Sequence, residues 1–321
     1  MTTGLSPASK ALLSDCTLCP RNCRVNRLAG ELGFCGAGVR PRVALVCLHP
    51  WEEPCLAGDK GAGTVFFSHC SLRCVFCQNH AISHSRGPAA KGCEVSIGRL
   101  AEIFLEQEAR GAATLDLVSP THYLPQIVDA LRIAKAHGLS LPVVWNSSGY
   151  DAPAALGRLR GLVDIFLPDV KYLDPVSAKR YSSAEDYPSH ILPVLEAMLA
   201  LVGDPQFSSD GRMKKGVLVR HLILPGRRHE SMAILDTLHE RFGDRVYLSL
   251  MNQYTPLYRA SSHREINRPL TTFEYESVLD HARGLGITRC YVQEGGTVSD
   301  SFVPIFDGQG VKKRNRERER E

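Results

Sequence analysis

Short apolar runs alternate with amphipathic stretches along most of the chain, starting at Thr64. The runs are rich in β-branched, leucine and aromatic residues, a composition and length typical of strands. Their apolar residues are consecutive rather than alternating with polar ones, so we expect a sheet that is covered on both faces. The predicted strands span Thr64–His69, Thr114–Ser119, Leu141–Ser148, Val163–Tyr172, Gly216–Leu224, Arg245–Tyr254 and Thr288–Glu294.

The stretches between these strands carry the start signals of helices. Ser96 precedes one apolar helical pattern, Pro125 opens the next, and Ser231 precedes a third. Thr271 with Glu274 three residues later forms the pattern of a capping box ahead of a further helix. Alternating strands and helices with right-handed crossovers form either a doubly wound sheet or a barrel, complete or partial. The hydrophobic pattern alone does not distinguish the two.

Composition divides the chain into three parts: a cysteine-rich segment (1–58), the β/α region (59–310) and a charged, disordered tail (311–321). With 321 residues, of which 44% are hydrophobic, the chain is long enough to bury a large core. The net charge is +4, and no basic run precedes the last dozen residues, so no nucleic-acid partner is expected.

No signal for export or membrane insertion is present in the sequence. The N-terminus lacks the apolar core of a signal peptide, and no stretch reaches the roughly 18 consecutive apolar residues of a membrane helix. We therefore expect a cytoplasmic protein without a membrane partner.

Cysteines are numerous and unevenly placed. There are eleven, an odd number that does not indicate a disulfide framework, and ten of them lie within the first 93 residues. Cys93 and Cys290 are interpreted as isolated thiols. Metal or cluster binding in the first third of the chain is therefore the leading explanation.

Three of these cysteines follow the first predicted strand with the spacing C-x3-C-x2-C: Cys70, Cys74 and Cys77. A tight loop at a strand end brings three thiolates to the corners of a cuboidal iron–sulfur cluster with little loss of chain entropy. A closed [4Fe-4S] cluster takes four cysteines, so three leave one iron open for a ligand. The alternatives are a structural zinc site completed by His69 or His80, or free buried thiols.

A C-x3-C-x-aromatic-C loop after the first strand of a β/α repeat resembles the radical S-adenosylmethionine (SAM) superfamily. The resemblance implies that the open iron binds SAM, and that an electron from the [4Fe-4S] cluster cleaves SAM to a 5′-deoxyadenosyl radical that abstracts hydrogen from a substrate. It also implies a partial (β/α)6 barrel preceded by the cysteine-rich segment. Phe76 is at the position that the family places near the adenine.

Longer stretches are similar to uncharacterised relatives of pyruvate formate-lyase activating enzyme. They are FFSHCSLRCVFCQN (Phe66–Asn79), WEEPCLAG (Trp51–Gly58) and SPTHYLPQI (Ser119–Ile127). This similarity implies a glycyl-radical enzyme as the protein substrate and a flavodoxin or ferredoxin as the low-potential electron donor. The alternatives are radical modification of a small molecule or peptide, and an iron–sulfur or zinc protein without catalysis.

Polar residues at strand ends are the candidate contacts for SAM, since ligands of β/α folds bind at the carboxyl ends of the strands. Family placement makes Asn146 and Ser147 candidates for the ribose or the amino-acid end of SAM. Asp169 and Lys171 resemble the Asp-x-Lys of activating enzymes and could hold the SAM carboxylate and ribose. The alternative for this pair is an ordinary ion pair.

Two further strand ends carry polar groups. The first, Ser119–His122, departs from the glycine-rich stretch with an acidic residue that the family often has there. The second contains His221, and a histidine within an apolar run is more typical of a hydrogen-bonded core residue than of a catalyst. Sequence motifs for phosphate-loop and serine-hydrolase chemistry are absent from the chain.

A second set of four cysteines precedes this region. Cys16, Cys19, Cys23 and Cys35 lie within twenty residues, broken by a proline and glycines. Four thiolates suit either one tetrahedral zinc or one auxiliary iron–sulfur cluster, and the spacing does not decide between them. Cys47 and Cys55 are further candidate ligands, and Cys55 is alternatively a residue lining the active site.

Overall fold

The computed structural model describes residues 4–84, 90–293 and 304–312 and shows a mostly parallel sheet with helices between its strands. The strands are β1 (Arg42–His49), β2 (Ala62–Phe67), β3 (Cys93–Glu94), β4 (Leu115–Val118), β5 (Val143–Ser147), β6 (Ile165–Pro168), β7 (Gln206–Phe207), β8 (Met213–Leu222), β9 (Tyr247–Met251) and β10 (Cys290–Val292). The helices are α1 (Pro7–Ser14), α2 (Pro54–Ala57), α3 (His80–Ser83), α4 (Ile97–Ala109), α5 (Leu124–Ala136), α6 (Pro153–Leu156), α7 (Pro175–Ser182), α8 (Tyr187–Val202), α9 (Arg228–Phe242) and α10 (Thr272–Gly284).

The order of the strands decides between the two architectures left open by the sequence. It runs β10-β9-β8-β6-β5-β4-β2-β1-β3, so the parallel strands β2, β4, β5, β6, β8, β9 and β10 follow chain order without reversal. Right-handed crossovers that always advance in one direction place all their helices on one face of the sheet. In a doubly wound sheet the strand order reverses, so helices cover both faces. Within the described residues the path stays open between β3 and β10. The predicted α/β partial barrel with six β/α units is confirmed.

All seven predicted strands are present, each shorter than its apolar run or shifted by a few residues. The sequence reading missed β1, which pairs antiparallel with β2 and carries the short antiparallel β3 on its other edge. The segment boundary predicted at residue 58 therefore falls between two paired strands. The predicted tail lies outside the described residues from residue 313 onward, as does the last residue of the strand predicted to end at Glu294.

Helix ends mostly follow the predicted signals. The Ser96 side chain accepts a hydrogen bond from the amide of Arg99, and Thr271 and Glu274 form the reciprocal capping box. The prediction for Ser231 was wrong, because α9 begins one turn earlier and the Ser231 hydroxyl contacts a histidine of β8 instead. No helix of the described part is long and apolar enough to cross a membrane.

The two faces of the sheet have different compositions. The convex face packs against the helices and is wholly apolar in its centre, with Phe67, Leu117 and Trp145 all buried. The concave face has a smaller apolar cluster around Leu167 and Leu218, closed from below by α2. Above this cluster the same face carries charged side chains, and these build the candidate site.

Candidate active site

The three-cysteine loop leaves β2 at the carboxyl edge of the parallel strands. His69, directly before it, has a φ of 76°, a left-handed conformation that turns the chain sharply out of the strand. The amides of Arg73 and Val75 donate to the carbonyls of Ser182 and Tyr181, at 3.1 and 2.9 Å. The carboxyl end of α7 therefore fixes the loop in position.

The three thiols of this loop lie close to one another, and all three cysteines are half-buried. The Sγ atoms of Cys74 and Cys77 are 3.0 and 3.3 Å from the hydroxyls of Ser182 and Ser83. Burial, followed by the charge of Cys74, raises the pKa of Cys70 to about 11 and that of Cys77 to about 12. Thiols whose pKa is raised by desolvation are stabilised as thiolates by a bound metal, so the donor chemistry of Cys70 and Cys77 beside Cys74 fits an iron–sulfur cluster.

The histidines that could complete a zinc site have other surroundings. The His80 ring stacks on Tyr258 with 4.8 Å between the centroids, and its Nδ1 lies 3.1 Å from the carbonyl of Cys77. The His69 ring packs against the rings of His122 and Tyr123. In residues 4–84, 90–293 and 304–312, no group of three or more His, Cys, Asp or Glu side chains is arranged around a single ion position.

A cleft beside the loop contains three of the residues that the sequence selected for SAM. Phe76, Asp169 and Lys171 line it together with Tyr172, Leu222 and Leu224. The Lys171 Nζ donates to Asp169 Oδ2 at 2.7 Å. Burial alone would lower the pKa of Lys171, but the charge of Asp169, the charge of Cys74 and the hydrogen bond to Asp169 together outweigh burial, and the pKa is raised. The pair thus stays charged at the edge of the cleft.

Arg220 connects this pair to the predicted residue Asn146. Its guanidinium donates to Asn146 Oδ1 at 2.6 Å, to Asp169 Oδ1 at 3.2 Å and to Glu52 Oε1 at 3.4 Å. Asn146 Nδ2 donates in turn to Asp116 Oδ2 at 3.4 Å. The charge of Glu53 also acts on Arg220. We call Glu52, Glu53, Asp116, Asn146, Asp169 and Arg220 the Arg220 network.

Sequence reasoning missed four members of this network: Glu52, Glu53, Asp116 and Arg220. A signal was available for two of them, since Asp116 and Arg220 are charged residues inside otherwise apolar predicted strands. Such a residue must find partners in the fold, and here it finds them on the concave face.

The structure separates Ser147 from its neighbour Asn146. Consecutive strand residues face opposite sides of a sheet, and Ser147 points to the helices. Its hydroxyl donates to Asp151 Oδ2 at 2.6 Å, and Thr121 donates to the other oxygen of the same carboxylate. A contact of Ser147 with SAM stays a prediction, without support from this geometry.

His221 is satisfied within the core. Its Nδ1 lies 2.7 Å from the carbonyl of Val170 and its Nε2 lies 2.8 Å from the Ser231 hydroxyl. Burial lowers the pKa of His221 to about 4, so the ring is neutral. These contacts agree with the interpretation of His221 as a core histidine.

The four N-terminal cysteines come together in a compact turn. Burial raises the pKa of Cys19 and of Cys35, and the other thiols of the set raise both further. The Cys23 Sγ accepts a hydrogen bond from the amide of Phe34 at 3.3 Å. The donor chemistry of four thiols suits a zinc ion or an auxiliary cluster, but within the described residues these thiols are not arranged around a single ion position. Cys55 lies apart from it, buried in the apolar cluster of the concave face.

The two cysteine sets are in direct contact through arginines. Arg21 Nε donates to the carbonyl of Ser71 at 3.0 Å, and Arg73 reaches from the three-cysteine loop to the carbonyl of Phe34. Both guanidinium groups lie over the Phe34 ring, at 3.8 and 4.5 Å from its centroid. The N-terminal turn therefore packs against the loop that holds the candidate cluster.

Comparison with known proteins gives distant similarities. No protein-family model matches the chain. The uncharacterized protein MJ0674 of Methanocaldococcus jannaschii is 27% identical over 288 residues, covering 88% of this chain and 78% of that protein. The Streptococcus suis protein SuiB bound to SAM aligns with a TM-score of 0.49 and 13% identity over 71% of this chain and 48% of SuiB. SuiB bound to its precursor peptide SuiA gives a TM-score of 0.49 and 12% identity, covering 70% and 46%.

This chain thus spans less than half the length of the SuiB chains that it matches. At these identities and TM-scores, the likeness to SuiB supports no inference about activity.

Proposed function

We propose that this protein is a radical SAM enzyme whose Cys70, Cys74 and Cys77 hold the catalytic [4Fe-4S] cluster. The observation that carries the proposal is the position of the three thiols at the carboxyl edge of the sheet, beside the cleft lined by Phe76, Asp169 and Lys171. When bound, the reduced cluster supplies the electron that breaks the sulfonium C–S bond of SAM, giving methionine and a 5′-deoxyadenosyl radical.

The residues of the cleft have separable roles in this proposal. Lys171 offers a positive charge to the SAM carboxylate, and Asp169 accepts a hydrogen bond from the Lys171 ammonium group and so orients it. Phe76, packed edge-on against Tyr254 at 5.8 Å, offers an apolar wall for the adenine. Ser182 and Ser83 hold the thiols of Cys74 and Cys77 from outside the loop.

Reductive SAM cleavage is the experiment that tests the proposal. Anaerobically reconstituted protein is reduced with dithionite in the presence of SAM, and 5′-deoxyadenosine and methionine are measured by chromatography while iron and zinc are counted. We expect cleavage that depends on all three cysteines. No 5′-deoxyadenosine from protein with a full cluster, together with an unchanged spectrum of the reduced cluster on adding SAM, would indicate a passive iron–sulfur protein.

Replacing Lys171 with glutamine is expected to raise the Kd for SAM about tenfold or more, because a charge-assisted contact is lost. The measurement is equilibrium binding of SAM to the reconstituted protein at matched iron content. Lys179→Gln is the control, since Lys179 pairs with Glu185 on the exposed surface. Equal Kd values for the wild type and Lys171→Gln would remove Lys171 from the site.

The substrate is the finer part of the proposal. The similarity of the sequence to activating enzymes favours a glycine of a partner protein as the hydrogen donor, with a small molecule or peptide as the alternative. Electron paramagnetic resonance distinguishes them when candidate glycyl-radical enzymes are mixed with the reduced, SAM-loaded protein. A glycyl radical on the partner supports activation, whereas its absence with every such partner favours the alternative.

Replacing Cys19 with alanine is expected to remove only the N-terminal metal, because Cys70, Cys74 and Cys77 belong to a separate loop. Iron and zinc counts on the purified variant should fall by the content of one site, while SAM cleavage stays measurable. Complete loss of cleavage would mean that the N-terminal centre and the catalytic loop depend on each other, through the contacts of Arg21 and Arg73.

A further inference from the structure

The Arg220 network is built from several separate parts of the chain. Glu52 and Glu53 come from the segment that leads into α2, Asp116 from β4 and Arg220 from β8. Asp169 and Arg220 are bridged in parallel register, so their side chains leave the sheet on the same side. Residues so far apart in sequence meet only because the partial barrel curves around them.

Acids outnumber bases in this network. Glu52, Glu53, Asp116 and Asp169 surround one guanidinium, and all four raise the pKa of Arg220. Asp169 is neutralised by Lys171 and Arg220, and Glu52 contacts Arg220 at 3.4 Å. Glu53 and Asp116 are left without a cation of their own among the contacts that the structure shows.

Asp116 gives a second, independent sign of an incomplete site. Its side chain is fully buried, yet Oδ1 has no hydrogen-bond partner in the described structure. Burial, then the charge of Glu52 and a hydrogen bond with it, raise the pKa of Asp116 well above its usual range, and the charge of Arg220 and the hydrogen bond from Asn146 offset this only in part. A buried carboxyl with an unsatisfied oxygen costs free energy that a ligand can recover.

Glu53, which is half-buried, also has a raised pKa. Burial and then the charge of Glu52 raise its pKa to about 7, and the charge of Arg220 and a hydrogen bond with Ser249 offset this only in part. The network meets solvent at Arg220 and Asp169, because 17% of the Arg220 side chain and 20% of the Asp169 side chain are exposed. Asp169 also lines the cleft assigned to SAM, so the two sites adjoin.

We infer that Glu53 and Asp116 bind a cationic nitrogen group of the substrate, an ammonium or a guanidinium, on the concave face next to SAM. The inference rests on the proposed function, because it assumes a substrate beside SAM, and it extends that function by naming the substrate class. A protonated nitrogen supplies both the missing positive charge and the missing hydrogen-bond donors. Asp169 belongs to both sites, so a substrate held by this nitrogen would lie next to the SAM cleft.

The test is calorimetric titration of the reconstituted, SAM-loaded protein with n-butylammonium, N-propylguanidinium and the neutral n-butanol. At least one cation is expected to bind about tenfold more tightly than the alcohol. Glu53→Gln and Asp116→Asn keep the side-chain shape and remove a charge, and each should weaken cation binding about fivefold or more. Glu53 is only half-buried, so its variant should fold even if Asp116→Asn does not.

Glu196→Gln is the matched control. Glu196 is an exposed acid on α8 that pairs with Arg241 of α9, outside the Arg220 network. It should leave cation binding within twofold of the wild type. Equal binding of the amines and the alcohol, no binding of either cation, or unchanged affinity in Glu53→Gln would each overturn the inference. So would a site that takes Mg²⁺ but neither cation.

Failure of this inference is separable from failure of the proposed function. Formation of 5′-deoxyadenosine without added substrate tests only the cluster and SAM. Cation binding without SAM cleavage would contradict the proposed function and leave the cation site in place.

Discussion

Replacing Cys74 with alanine is expected to abolish the catalytic cluster and, with it, all cleavage of SAM. Cys74 is the middle ligand of the loop, and its thiol is close enough to raise the pKa of both Cys70 and Cys77. Two remaining thiolates cannot hold a cluster that already has one iron without a protein ligand. The iron content should fall by the amount of one cluster, and 5′-deoxyadenosine should be undetectable after reduction with dithionite.

Cys93→Ala is the control for this variant. Cys93 lies on the short edge strand β3 and is half-buried like the ligand cysteines, but it belongs to neither cysteine set. Its variant should keep a full cluster and wild-type cleavage. Wild-type cleavage in Cys74→Ala would refute the assignment of the loop, whatever the iron content.

Local patterns predicted the elements of this fold, and long-range order decided its architecture. Strand and helix signals are carried by neighbouring residues, so the apolar runs and the capping box at Thr271 could be read directly. Whether each crossover advances or reverses depends on contacts between distant segments. The antiparallel strand β1 was missed although its run RVALVCLH carries the same local signal as the predicted strands.

In the candidate site, too, some residues could be predicted from local sequence and others depend on contacts between distant segments. The three-cysteine loop is one contiguous motif, and the pair Asp169 and Lys171 lies two residues apart, so both could be predicted. Arg220 acquires its role only when β8 lies beside β6. Placing Ser147 with Asn146 overlooked the two-residue period of a strand, which was knowable from the sequence alone.

The concave face shows how stability and function are balanced in this protein. The helix-facing side of the sheet buries apolar residues such as Trp145, whereas the opposite side holds the buried Asp116 and the half-buried Glu53, whose raised pKa values mark a cost to the folded state. For Glu53, whose folded pKa lies above its unfolded value, this cost appears as pH rises from that unfolded value through about 7. Groups retained at such a cost are characteristic of functional sites.

Replacing Arg220 with methionine is expected to have the largest effect on stability, a loss of about 3–5 kcal/mol in the free energy of unfolding. The variant removes the positive charge that faces Glu52, Glu53, Asp116 and Asp169. Of these four carboxyl groups, Asp169 keeps its ion pair with Lys171. Denaturation by urea, followed by circular dichroism, measures the loss. Arg241→Met is the control, because its exposed pair with Glu196 should contribute about 1 kcal/mol or less.

The pH dependence identifies the cause of that loss. Without Arg220, the penalty comes from ionised buried carboxyls, so it should be larger at pH 8 than at pH 6, where Glu53 and Asp116 bind protons more readily. A penalty from lost packing alone would be independent of pH. Adding Glu52→Gln to Arg220→Met should recover part of the stability, because one uncompensated charge is removed, and a further loss in the double variant would show that the carboxyls are not the source.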